Sequence, residues 1–163
     1  MVRLGEVIVS DEAYKLDAVD RRILSALQSD ARLSSAELAE RVALSASPCW
    51  RRVKRLEELG VIQGYHARID AKKLGYSIFA FVQVSLGQKD SESMRRFEEE
   101  MLSHDQIVFC HCISGNYDYQ LAVIAPSLAE FNSFARGVIN GFPGVKDVFT
   151  SFSVSEVKPY RGF

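Results

Sequence analysis

The hydrophobic period changes once along this chain, and that change organises what it can fold into. From Leu16 to about Leu59 apolar residues recur at helical spacing. From Tyr76 onward, alternating strand-like runs are interleaved with two helical segments. The piece between them, VIQGYHARIDAKKLG, contains Gly64 and Gly75 and reads as a strand-like hairpin followed by a linker. The chain is thus an α+β protein with a helical half and a mixed half. At 163 residues, 47% hydrophobic and 25% charged, it is long enough for one domain or two small ones and is not globally disordered.

The helical half offers three helices. Asp17 is the N-cap or first-turn acid of the first, and Val19, Ile23, Ala26 and Leu27 form its stripe. Ser34 or Ser35 caps the second. Glu37 stands at capping-box distance from Ser34, and Leu38, Ala39, Val42 and Ala43 form the apolar face. Leu44–Ser47 is a short turn, with Ser47 as the next N-cap and Pro48 just inside it, where a missing N–H costs nothing. The third helix, CWRRVKRLEELG, buries Cys49, Val53, Leu56 and Leu59 and stops at Gly60. Two helices joined by so short a turn make a helix-turn-helix, and Val61–Ile69 reads as its two-stranded wing, bent at Gly64.

The mixed half reads β-α-β-β-α-β. YSIFAFVQVSL is a strand with Ile78, Ala80, Val82, Val84 and Leu86 on one face and two exposed phenylalanines, Phe79 and Phe81, on the other. Ser91 or Ser93 starts a helix with Met94, Phe97 and Met101 inward. QIVFCHCIS and YDYQLAVIA are strands joined by the turn GNYD. Pro126-Ser127 opens a helix with Leu128, Phe131, Phe134 or Ala135, and Val138 inward, and VKDVFTSFSVSEV is the last strand. Two helices on one face of a four-stranded antiparallel sheet is a ferredoxin-like plan.

Charge is distributed unevenly. The chain has 20 Lys+Arg against 21 Asp+Glu, a formal net charge of −1, which excludes a uniformly basic coat for nucleic acid. Residues 45–56 nevertheless hold Arg51, Arg52, Lys54 and Arg55 with no acid, whereas 76–163 carry seven bases against ten acids. At helical spacing Arg51, Lys54 and Arg55 share a face of the third helix, with Arg52 at its flank. Such a face suits base edges in a major groove, and Ser45, Ser47 and the free N–H groups of the helix start suit a phosphate. A solvated basic face is the bland alternative; the tri-helical spacing, the Ser-Pro start and the wing weigh against it.

Three pieces, LDAVDRRILSALQSDARLS, ELAERVALSASPCWRRVKRLEELGVIQGY and ISGNYDYQLAV, together resemble the leucine-responsive regulator/AsnC (Lrp/AsnC) family of transcription factors over about residues 16–158. The resemblance implies an N-terminal winged helix-turn-helix on duplex DNA and a C-terminal ferredoxin-like sensing domain (ACT-like, RAM). It implies a homodimer, often assembled to an octamer, and an amino-acid effector held between sensing domains of neighbouring dimers. On this reading 1–15 is an N-terminal arm without an assigned role, 16–60 the helix-turn-helix domain, 61–75 the wing and linker, and 76–163 the sensing and oligomerisation domain. The DNA contacts carried over are Ser45, Ser47, Pro48, Arg51, Arg52, Lys54 and Arg55. The effector contacts are Gly115, Asn116, Tyr117 and Asp118 at the turn, with Phe152 and Ser153 on the last strand. Asp118 would accept an ammonium, and amides near Gly115 would donate to a carboxylate. Trp50 departs from the leucine of many relatives; it either packs on the first helix or lies on the DNA backbone.

No enzyme fingerprint is present. Cys110 and Cys112 point to one face of a strand and His111 to the other, so the trio does not chelate one metal. With Cys49 the cysteines are three, which makes no disulfide framework and suits a reducing cytoplasm. No run is long enough to span a membrane. The rival function is a metabolite-binding module that docks on a protein partner instead of DNA.

Overall fold

A computed structural model describes residues 15–159 of the chain. The arm assigned to 1–15 lies, apart from Lys15, outside the described residues. The chain divides into two compact units between Ala67 and Arg68.

The first unit holds α1 (Ala18–Ser29), α2 (Ser35–Arg41) and α3 (Ala46–Glu58). Both expected N-terminal signals form. Asp17 accepts the N–H groups of Val19 and Asp20 at 2.8 Å each, and Asp20 reaches back to the Asp17 N–H at 3.3 Å. Ser34 and Glu37 make the reciprocal pair for α2, at 3.3 and 2.8 Å. Each box satisfies two orphan donors. Ile23, Ala26, Leu38, Ala39, Val42, Cys49 and Leu56 are the buried core.

Several expectations are corrected here. Ala43 does not face the core: it is exposed and holds φ 55°, the left-handed residue that ends α2 and makes the turn. Ser45, not Ser47, is the N-cap of α3. Ser47 and Pro48 fall in its first turn, where N–H groups still have no helical partner. Leu59 is half-exposed at the C-cap, and Gly60 follows at φ 68°. The two-stranded wing does not form among the described residues: 61–70 are in no strand, and most are exposed. VIQGYHARID offers no apolar face to bury, so no ladder is held in place.

The second unit holds β1 (Ile78–Leu86), α4 (Ser91–Leu102), β2 (Ile107–Cys112), β3 (Tyr119–Ala125), α5 (Leu128–Phe134, continued by a π turn, Ala135–Ile139) and β4 (Val145–Phe152). The sheet order is β2-β3-β1-β4, with every pair antiparallel. Ala80, Val82, Val84 and Leu86 of β1 pack with Phe97 and Met101 of α4, Leu121 and Val123 of β3, and Phe131. Asp90 caps α4 instead of Ser91 or Ser93, accepting both the N–H and the hydroxyl of Ser93. Of the inward positions expected on α5, Leu128 is half-exposed; the buried set is Phe131, Ala135 and Ile139. That spacing of four explains the π turn, because a wider turn keeps all three on one line. β4 ends at Phe152, short of the expected Val157.

The other sheet face has no helix on it. It carries Phe79 and Phe81 of β1, edge to face at 5.3 Å, with Phe109 of β2 at 6.4 Å from Phe81. Phe149 of β4 stands 6.3 Å from Tyr117.

Candidate nucleic-acid interface and effector site

α3 separates its apolar and basic sides. Cys49 and Leu56 are buried, while Arg51, Lys54 and Arg55 are exposed. Ser45 and Ser47 are exposed and Pro48 half-buried at its start. The Ser45 side chain makes no cap hydrogen bond, so the first-turn donors of a thirteen-residue helix face outward.

Arg52 differs from its three neighbours. Its guanidinium bonds Asp17 at 2.6 Å and Asp20 at 2.7 Å, and Asp20 is almost wholly buried. The Asp20 and Asp17 hydrogen bonds hold the Arg52 guanidinium charged even more firmly than usual. The Asp17 carboxyl is held below the ordinary range, first by the Asp20 N–H and then by Arg52. This residue ties α3 to the start of α1 and sets the angle at which the exposed bases are presented.

Trp50 is half-exposed and lines a cleft of about 310 Å³ with residues of α1, α2 and α3.

The expected effector residues fall in two places. Gly115, Asn116, Tyr117 and Asp118 form the loop between β2 and β3, and Gly115 holds φ 132° with open space where a side chain would stand. Asp118 is fastened: one oxygen accepts the Leu86 N–H at 2.9 Å and the other meets Lys89 at 2.7 Å. The Lys89 bond, ahead of the Leu86 amide, holds its carboxyl below the ordinary range. The Asn116 carbonyl accepts the Ser85 hydroxyl. Phe152 pairs with Ala80 at the far end of β1, its ring 5.1 Å from Phe131 on the helix-covered face. The Ser153 N–H continues the ladder to Phe79. Six residues of β1 separate Ala80 from Leu86, about 20 Å at strand rise. One chain therefore does not bring the loop and the Phe152 end together.

Residues 16–63 match the family model for winged helix-turn-helix DNA-binding domains, and residues 79–163 match the Lrp/AsnC ligand binding domain. The chain belongs to the Lrp/AsnC family of transcriptional regulators. The Bkd operon transcriptional regulator of Pseudomonas aeruginosa is 39% identical over 143 residues, covering 88% of this chain and 94% of its own. The leucine-responsive regulatory protein of Escherichia coli is 37% identical over 88% of this chain and 87% of its own. A transcriptional regulator of Neisseria meningitidis, solved as a complex with L-methionine, shares the fold at TM-score 0.84 and 33% identity, over 89% of this chain and 94% of that one.

As an Lrp/AsnC protein the chain is a DNA-binding transcriptional regulator, not an enzyme, and the reading as a module for a protein partner gives way to the helix-turn-helix match. In this Lrp/AsnC sensing fold Cys110 and Cys112 lie on the core side of the sheet and His111 on the open side, 5.0 Å from Phe109. Burial pushes the Cys110 thiol up to about 11, with Glu98 and Cys112 adding to it. Among the described residues no cluster of three or more His, Cys, Asp or Glu side chains is arranged to hold a metal, and no helix is long and apolar enough to cross a membrane. Two partners escaped the sequence reading. Asp20 carried a signal, since an acid inside the apolar stripe of α1 demands a cation. Lys89 carried none, because its approach to Asp118 depends on the strand register.

Proposed function

We propose that this regulator reads duplex DNA with Arg51, Lys54 and Arg55 of α3, holds a phosphate with Ser45, Ser47 and the helix start beside Pro48, and uses Arg52 to position the reading helix. The observation that carries this is the division of α3 into a buried apolar side and an exposed basic one. Residues 16–60 are the DNA-binding part, 61–75 the connection and 76–163 the sensing part, working in the cytoplasm where the DNA lies.

The aromatic open face of the sheet supports a homodimer, because a small domain rarely leaves such a strip wet. Two reading helices then meet a pseudo-palindromic site. The effector is an amino acid, in keeping with the L-methionine complex of the Neisseria relative. It sits between copies, since Gly115–Asp118 and Phe152–Ser153 stand at opposite ends of one sheet, and such contacts between dimers build an octamer. Asp118 keeps the loop in shape through Lys89, leaving the Gly115 and Asn116 amides to meet the carboxylate.

Duplexes selected from a random pool, with and without mixed amino acids, test the reading. Affinity for the selected duplex should fall steeply between low and moderate salt as counterions are released. Arg51→Ala should cost about 1–3 kcal/mol on that duplex if the side chain reads a base. Salt-independent binding, or no selected sequence, refutes it.

A further inference from the structure

The cleft beside Trp50 lies within the DNA-binding unit and has no part in the reading above. Its volume, about 310 Å³, stands at the small end of the about 300–1,000 Å³ typical of ligand sites. Leu38 is buried in its floor, with Leu27, Leu33 and Val53 half-buried around it, and the half-exposed rings of Trp50 and Tyr65 line it as well. Two opposite charges complete the lining, one helical turn apart on α3. Lys54 is exposed and makes no ion pair among the described residues. Glu57 is half-buried, and its Oε1 accepts the Tyr65 hydroxyl at 2.9 Å, which fixes the carboxylate in place.

These features select a ligand class. A purely apolar occupant leaves both charges to water. A simple anion meets Glu57, and a simple cation meets Lys54. A small zwitterion with an apolar body satisfies all of the lining: its anionic group on Lys54, its cationic group on Glu57 and its body on the Leu38 floor. Side chains three apart on a helix are neighbours, which suits the closely spaced charges of such a head group. We infer that this cleft is a second small-molecule site, in the DNA-binding unit itself, for zwitterions with an apolar or aromatic body. An occupant there engages Lys54, so it competes with the phosphate or base that Lys54 would otherwise meet. This control is separate from the sensing unit, and it needs no signal passed between the units.

Trp50 is the one tryptophan of the chain, so its emission reports on this cleft alone. The full chain is titrated with L-phenylalanine, with phenylacetate (no ammonium), 2-phenylethylamine (no carboxylate) and glycine (no body). The expected result is a saturable change in Trp50 emission with L-phenylalanine, at least tenfold weaker with each of the other three. Lys54→Met and Glu57→Gln should each weaken the response at least fivefold. Ala31→Phe, an exposed position on the cleft, should fill it and abolish the response with the circular dichroism spectrum unchanged. A response that survives Ala31→Phe, or is equal for L-phenylalanine and phenylacetate, overturns the proposal. So does a shift in emission on deleting residues 1–14 with no response to L-phenylalanine in either form, which makes the chain's own N-terminal segment the occupant. Amino-acid effects on DNA binding that persist in Ala31→Phe belong to the sensing unit, so failure here and failure of the sensing reading are distinguishable.

Discussion

Replacing Arg52 with alanine separates a positioning role from a DNA contact. In the native unit its guanidinium satisfies Asp17 at 2.6 Å and Asp20 at 2.7 Å. Without it Asp20, with 5% of its side chain exposed, keeps only the long 3.3 Å bond from the Asp17 N–H. Breaking a fully buried ion pair from one side costs about 3–5 kcal/mol. Arg52 is itself 32% exposed, so water screens part of the pair and the expected loss through Asp20 is about 2 kcal/mol. Urea unfolding followed by circular dichroism at pH 7 should show it as a lower midpoint at unchanged slope. The deficit should shrink on acidification. The Asp17 carboxyl is held low in the folded unit, so its contribution is complete above the ordinary carboxylate range and lost as pH falls through the lowered folded value. Binding to a selected duplex should weaken, yet its salt slope should match wild type, because no phosphate contact is removed. A salt slope reduced by about 0.9 per copy, with an unmoved urea midpoint, would falsify the positioning role and return Arg52 to the DNA interface.

Gly141→Ala places a Cβ 2.6 Å from the Gly137 carbonyl, a backbone atom that cannot swing away, so a loss of about 1–3 kcal/mol is expected in thermal unfolding. Gly137→Ala meets nothing within 4 Å and should be neutral or slightly stabilising; equal losses at both positions would refute the steric account. Asp118→Asn should remove a pH dependence. Lys89 holds the native carboxyl low, so its stabilisation is present above the ordinary carboxylate range and lost below it; urea midpoints from pH 2 to pH 6 should be flatter in the variant. Phe81→Asp puts a charge among Phe79 and Phe109 on the open sheet face. Light scattering at micromolar concentration should move from dimer toward monomer, and a wild-type monomer would remove the dimer reading altogether.

The residues that were legible in the sequence share one property: their meaning is local. Asp17, Ser34 with Glu37, and Gly60 signal helix ends through neighbours a few positions away, and each stands where those signals point. The alternation of β1 is local too, and Ala80, Val82, Val84 and Leu86 are all buried. What was not legible is set by packing between distant segments. Ala43 continues the helical period on paper, yet the chain must reverse between α2 and α3, and that reversal takes Ala43 out of the core at positive φ. Val61–Ile69 alternates weakly, and a hairpin needs a surface to bury that this run does not offer. The same distinction governs the functional residues. Helical periodicity places Arg51, Lys54 and Arg55 together, but the partner that withdraws Arg52 lies 32 residues away at Asp20. The effector residues are the extreme case. Their two groups stand at opposite ends of β1, so no reading of one chain, in sequence or in three dimensions, closes that site. A sensing site divided between copies makes effector binding and assembly a single equilibrium. Dilution of the protein should then weaken effector affinity, because each vacated interface opens a site.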